Sequence, residues 1–120
     1  MRHGDNIRRF GRSKSQREAL IAGLAQSLVL RGSIRTTLAR AKELRPFVEK
    51  LITKAVRRGV SVKTELADLL NSRKSAEMLV GKLATRYKKG NGGYTRIVKM
   101  PIRKSDASKM AVIEFVNNND

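Results

Sequence analysis

The only histidine in the chain is His3, its nearest acid is Asp5, and there is no cysteine. General acid–base work needs groups held in fixed geometry. This pair sits in "MRHGDNIRRFGRSK", a stretch with too few apolar residues to be held against anything. The 10 acids are spread singly, and those in helical surroundings (Glu43, Glu49, Glu65, Asp68, Glu77) lie beside cations as ordinary surface pairs. That leaves no carboxylate cluster for magnesium, and the lack of cysteine excludes disulfides, thiolate zinc sites and thiol nucleophiles. The sequence therefore asks for no cofactor and no metal, and enzymatic activity is not expected. "GNGG" (residues 90 to 93) follows a helical stretch and precedes a strand-like one, so it reads as a helix end and hairpin start, not as a phosphate cradle.

What remains is charge. Lys and Arg number 27 against 10 Asp and Glu, a net +17 with a pI near 11.3. Self-repulsion on that scale calls for a polyanion, and nucleic acid is the natural one. The cations are densest at the start, where Arg2, Arg8, Arg9, Arg12, Lys14 and Arg17 face only Asp5 before Glu18. Lys54, Arg57 and Arg58 form a second group that also suits a helix C-terminus. Aromatics are 4% of the residues, and Phe47 and Phe115 fall at core-like positions, so a base-stacking platform is missing. Recognition should then run through phosphate and sugar. Phe10, alone in the basic stretch, reads equally as a wedge against a base or as a cover for the body. No helix-turn-helix, zinc knuckle or heptad zipper marks a reader of DNA.

The elements that must carry these cations follow from periodicity. Ser15 and Glu18 fit a capping box, and Leu20, Ile21, Leu24 and Leu28 continue as an apolar stripe that Gly32 ends. "ALIAGLAQSLVL" after a basic start resembles a signal peptide, but Gln26, Ser27 and the flanking Glu18 and Arg31 argue against it, and it is shorter than the ~20 residues of a membrane span. The chain is expected to stay in the cytosol. "SIRTT" (33 to 37) is a short strand. Leu38, Ala41, Leu44, Val48, Leu51, Ile52 and Ala55 then hold one helical face straight through Pro46, predicting a single bent helix over 38 to 58. Residues 61 to 71 and 75 to 89 read as two more helices or one fused one, with Leu66, Leu69, Leu70, Leu79, Val80, Leu83 and Tyr87 facing inward. "YTRIVKMPIR" and "MAVIEFV" make a hairpin in which Pro101 belongs at an edge or bulge. The expected fold is α+β, with three or four helices on one face of a small three-stranded sheet. A basic arm spans 1 to 14, one domain 15 to 117, and a polar tail 118 to 120.

Several short stretches together resemble one family. They are "MRH" at the start, "GR" at Gly11 and Arg12, "SL" at Ser27 and Leu28, "TTL" at 36 to 38, "AKELR" at 41 to 45, "EKLIT" from Glu49 to Thr53, and "GGYTRI" from Gly92 to Ile97. The chain is similar to the ribosomal protein L-seventeen family of the bacterial large subunit. The likeness covers nearly the whole chain and is thinnest from Val56 to Lys89. It implies a non-catalytic constituent of the large subunit that binds its ribosomal RNA near the polypeptide exit tunnel, touches neighbouring ribosomal proteins, and has no membrane or small-molecule partner. By matched position it implies RNA-facing roles for Arg2, His3, Arg12, Arg17, Thr36, Lys42, Arg45, Tyr94 and Arg96. Charge adds Arg8, Arg9, Lys14, Arg35 and Lys99. The chain departs from the family pattern at Gln16, Ala39, Pro46 and in the loop around Asp106. Composition alone would equally permit an architectural DNA-binding protein.

Residues 1 to 14 should be disordered in the free protein and extended on RNA, because Ile7 and Phe10 cannot offset an ordering entropy of roughly 1 to 2 kcal/mol per residue. If each of the six early cations neutralises one phosphate, together they contribute roughly 4 to 5 units to the slope of log affinity against log salt, at about 0.7 to 0.9 per phosphate. Deleting residues 2 to 14 removes five of the six. In a salt series with a ribosomal RNA fragment it should flatten the slope by about 3.5 to 4.5 units; an unchanged slope would show the arm to be a structural part of the fold.

Overall fold

A computed structural model describes residues 13–87 and 92–116. Helix α1 spans Lys14–Arg31, strand β1 Ser33–Thr37, and helix α2 Leu38–Arg58. A single 3₁₀ turn at Gly59–Val62 leads into α3 (Lys63–Leu70). Helix α4 opens as an α-helix at Arg73–Met78, widens to π geometry over Leu79–Leu83 and closes as an α-helix over Ala84–Arg86. The hairpin strands are β2 (Thr95–Met100) and β3 (Met110–Phe115). The sheet is antiparallel with order β1-β3-β2, so the last strand is the central one. This is the α+β architecture expected from the sequence.

Register sorts the sheet into two faces, because directly opposed residues of an antiparallel pair share a side. Ile34 and Thr36 of β1, Ala111, Ile113 and Phe115 of β3, and Thr95 and Ile97 of β2 share the inner face. Helix α2 lies against all three strands there. Its core side is Ala41, Leu44, Val48, Leu51, Ile52 and Ala55, all buried. The apolar register through Pro46 is borne out, and the helix runs across the proline without a break. Helices α1, α3 and α4 complete the core with Ile21, Ala25, Leu28, Val29, Leu66, Leu70, Leu79 and Leu83.

Local chemistry sets the ends of the elements. Gly32 closes α1 in the left-handed region (φ 88°), where a side chain would be strained, and its N–H bonds the Leu28 carbonyl at 2.7 Å. Gln26, which interrupted the apolar run in the sequence, donates to the Leu70 carbonyl at the end of α3 (2.6 Å). Asn71, at φ 57°, ends α3, and the Ser72 hydroxyl accepts from the Ser75 N–H (3.1 Å) to start α4, so these helices are separate. Pro101 falls just beyond β2, outside the ladder.

Three expectations need correction. The capping box is Ser13 with Gln16, not Ser15 with Glu18: the Ser13 hydroxyl accepts from the Gln16 N–H at 3.3 Å, and the Gln16 side chain accepts from the Ser13 N–H at 3.2 Å. Leu69 is 39% exposed, because α3 is only two turns long and turns its core side through Leu66 and Leu70. Lys14 is the first residue of α1, so a deletion reaching residue 14 removes the cap as well as the charges. The expectations for Arg2, His3, Arg8, Arg9, Phe10 and Arg12, and for the tail after Val116, lie outside the described residues.

The cap assignment separates two substitutions. Ser13→Ala should destabilise the protein by about 1 kcal/mol in denaturant titration, whereas Ser15→Ala, inside the first turn, should be neutral or slightly stabilising. A larger loss for Ser15→Ala would return the cap to Ser15.

Candidate nucleic-acid interface

A cleft of about 800 Å³ opens where β1 hands over to α2 and where the β2–β3 loop returns to β3. Five cations line it: Arg35 from β1, Arg40 and Lys42 from the first turns of α2, and Arg103 and Lys109 from the loop. No carboxylate and no aromatic ring lines it. Its two walls are joined by the Leu38 N–H, which donates to the Lys109 carbonyl at 2.8 Å. Thr37 starts α2 as its cap, accepting from the Arg40 N–H (3.3 Å), and the helix has no acid in its first turn to offset the positive end of its dipole.

The loop wall is internally braced. Arg103 grips Asp106 with two bonds of 2.9 and 2.8 Å, the Asp106 carboxylate also accepts from the Ser108 N–H (3.1 Å), and Ala107 takes a left-handed φ of 58°. The bonds from Arg103 and Ser108 hold the Asp106 carboxyl well below the usual carboxylate range. That carboxylate neutralises the Arg103 charge locally. Among the described residues, Arg35, Lys42 and Lys109 have no ion-pair or hydrogen-bond partner for their side-chain charges.

A second cleft, about 700 Å³ between α1, α2 and α3, differs in character. Lys14 and Arg17 line it beside Glu18, Glu43 and Asp68, over apolar Ile21, Phe47 and Leu69. Acids offset cations there, so it offers no concentrated positive potential.

The residues singled out in the sequence divide between surface and interior. Arg35, Lys42 and Lys99 are exposed, the first two in the cleft. Arg96 is exposed but lies across the strand pair from Glu114, which it holds at 2.7 Å. Lys54 and Arg58 both reach Glu65, at 3.4 and 3.5 Å, which supports the structural reading of that group. Thr36 is 7% exposed on the inner sheet face. Tyr94 is 2% exposed, its ring 5.1 Å from that of Tyr87 and tilted by 54°. Expected to face RNA, it belongs to the core. Tyr87 donates its hydroxyl to the Val116 carbonyl, and burial pushes its phenol above the ordinary value.

Arg45 also serves the fold. It donates to the Thr95 carbonyl at 3.2 Å and stands 4.0 Å from Glu49. Glu49, read in the sequence as a surface pair, accepts from the Gly93 N–H (3.1 Å), the Thr95 N–H (2.9 Å) and the Thr95 hydroxyl (2.8 Å). The stretches "AKELR", "EKLIT" and "GGYTRI" therefore meet in space. Arg40, Arg103 and Lys109 were missed as surface cations. The register Thr37↔Met110 brings the loop to the start of α2, and no local pattern announces that pairing.

Size, surplus of positive charge and an α+β body with a cation-lined cleft define a class, the small basic proteins suited to bind a polyanion. The family model described as "Ribosomal protein L17" matches residues 20–116. A "Large ribosomal subunit protein bL17" of Campylobacter fetus is 45% identical over 116 residues, covering 97% of this chain and 98% of the relative. Those of Campylobacter hominis (43% over 117 residues, 98% and 99% covered) and Rickettsia typhi (40% over 119 residues, 99% and 87% covered) are similar throughout. The chain belongs to the ribosomal protein L17 family.

Removing the Thr95 hydroxyl (Thr95→Val) should cost about 1 to 3 kcal/mol. Glu49→Ala should cost more, since it leaves two backbone N–H groups and that hydroxyl without their acceptor. Tyr94→Phe, which keeps the ring buried, should leave affinity for a ribosomal RNA fragment unchanged; a marked loss would place Tyr94 on the RNA after all.

Proposed function

We propose that the protein is a structural constituent of the large ribosomal subunit that binds its ribosomal RNA, mainly through phosphate and sugar, and helps assemble and stabilise the subunit. The carrying observation is the full-length likeness to proteins named for that subunit. Physical support comes from the excess of 27 cations over 10 acids and from a cleft that gathers five cations without an acid. Among the described residues no cluster of His, Cys, Asp and Glu is arranged to hold a metal ion, and no helix is long and apolar enough to cross a membrane. The family resemblance adds a position near the polypeptide exit tunnel, contacts with neighbouring ribosomal proteins and a cytoplasmic location, with no catalytic role.

Arg2, His3, Arg8, Arg9, Arg12, Lys14 and Arg17 supply the N-terminal contacts in this reading, and Arg35, Lys42, Arg96 and Lys99 those of the body. Thr36 and Tyr94 support the surface from behind it, and Arg45, itself exposed, ties α2 to the start of β2.

Sedimentation of a cell extract distinguishes this from DNA packaging. The protein should run with the large subunit through a high-salt wash and stay there after DNase, whereas a nucleoid protein would leave with the DNA. Loss of the protein from the subunit on DNase treatment would overturn the reading.

A further inference from the structure

We propose that the cleft between the β1–α2 junction and the foot of the β2–β3 loop is a discrete site for a run of sugar-phosphate backbone. The proposal rests on the RNA-binding reading above and sharpens it: the body grips RNA at one place instead of attracting it diffusely over a surface of net charge +17.

Three observations converge on this place. The cations come from two chain segments about sixty residues apart, 35–42 and 103–109, so folding has brought Arg103 and Lys109 against Arg35, Arg40 and Lys42. Such clustering costs stability in the free protein unless an anion completes it. Several cations elsewhere on the body are answered by acids: Glu65 faces Lys54 and Arg58, Glu77 lies 3.9 Å from Lys63, and Glu114 takes Arg96. In the cleft that answer is missing for Arg35, Lys42 and Lys109, which have no partner among the described residues.

The walls are also set before any ligand arrives. The Leu38 to Lys109 hydrogen bond joins them, and the Arg103–Asp106 grip shapes the loop. A preset site loses little ordering entropy on binding. About 800 Å³ exceeds what a single phosphate group fills and leaves room for adjoining sugars. The lining favours phosphate: it has no aromatic ring to stack a base on and no carboxylate to repel the backbone, while its cations and hydroxyls all suit phosphate oxygens. Thr37 and Ser108 hydroxyls suit phosphate and ribose oxygens.

The test uses the full chain, isotope-labelled, titrated with sodium tripolyphosphate and separately with a ribosomal RNA fragment. With tripolyphosphate, a bare phosphate chain, amide shifts should concentrate in residues 35–42 and 103–110. With RNA, Lys42→Ala/Lys109→Ala should lower the slope of log affinity against log salt by about 1.4 to 1.8 units, at about 0.7 to 0.9 per phosphate. Lys74→Ala/Lys82→Ala, exposed on α4, removes the same charge and should leave the slope nearly unchanged. Shifts scattered over all cations, or equal slope losses from both double variants, would overturn the discrete site while leaving RNA binding intact. Failure of the unaltered chain to bind the fragment would instead remove the reading on which the site rests.

Discussion

One carboxylate ties the two halves of this fold together. Glu49, on the 21-residue helix α2, accepts three hydrogen bonds from the segment that starts β2, across separations of 44 to 46 residues. Hydrogen bonds to a charged acceptor contribute about 1.5 to 3 kcal/mol each, against about 0 to 1 for an exposed ion pair such as Lys54 with Glu65. The clamp holds Thr95 opposite Phe115, and that register carries through β3 to Thr37↔Met110. Lys109 thereby comes to lie against the first residue of α2. The cation-lined cleft is thus a consequence, several steps removed, of how β2 is fastened to the helix.

The same logic explains where the few acids are. A body with this much positive charge pays for its fold in repulsion, and the acids of the described residues stand where they relieve it without blocking the cleft. Glu65, Glu77 and Glu114 each neutralise nearby cations on other faces, while Asp106 turns Arg103 into a brace for the loop. Arg35, Lys42 and Lys109 have no such partner among the described residues.

How far this could be read from the sequence depended on range. Helix α2 was legible through Pro46 because seven apolar positions repeat the helical period, and one substituted residue does not erase it. The strand at 33 to 37 and the hairpin were legible from β-branched alternation and turn chemistry. The cap of α1 was misplaced by two residues because Ser13–Gln16 and Ser15–Glu18 both fit the capping pattern; only the extended backbone at Ser13 (φ −66°, ψ 166°) decides between them. Glu49 was misread for a deeper reason. Arg45 stands four residues before it and makes a plausible surface pair, while its true partners lie beyond two more helices. Tyr94 was given an RNA-facing role by its matched position in the family motif, and a motif match does not tell a binding residue from a packing one; tertiary packing on Tyr87 claims it.

The central claim is that the family-like motifs divide between a clamp that fastens β2 to α2 and a surface proposed to grip phosphate. A map of the large subunit containing this protein, fine enough to place side chains, tests it directly. The account predicts Arg35, Lys42 and Lys109 within hydrogen-bonding distance of backbone phosphate oxygens, with Arg45 still on the Thr95 carbonyl and Tyr94 still packed on Tyr87. RNA bases stacked on Tyr94, or Arg45 and Glu49 parted with the cleft empty of phosphate, would contradict it.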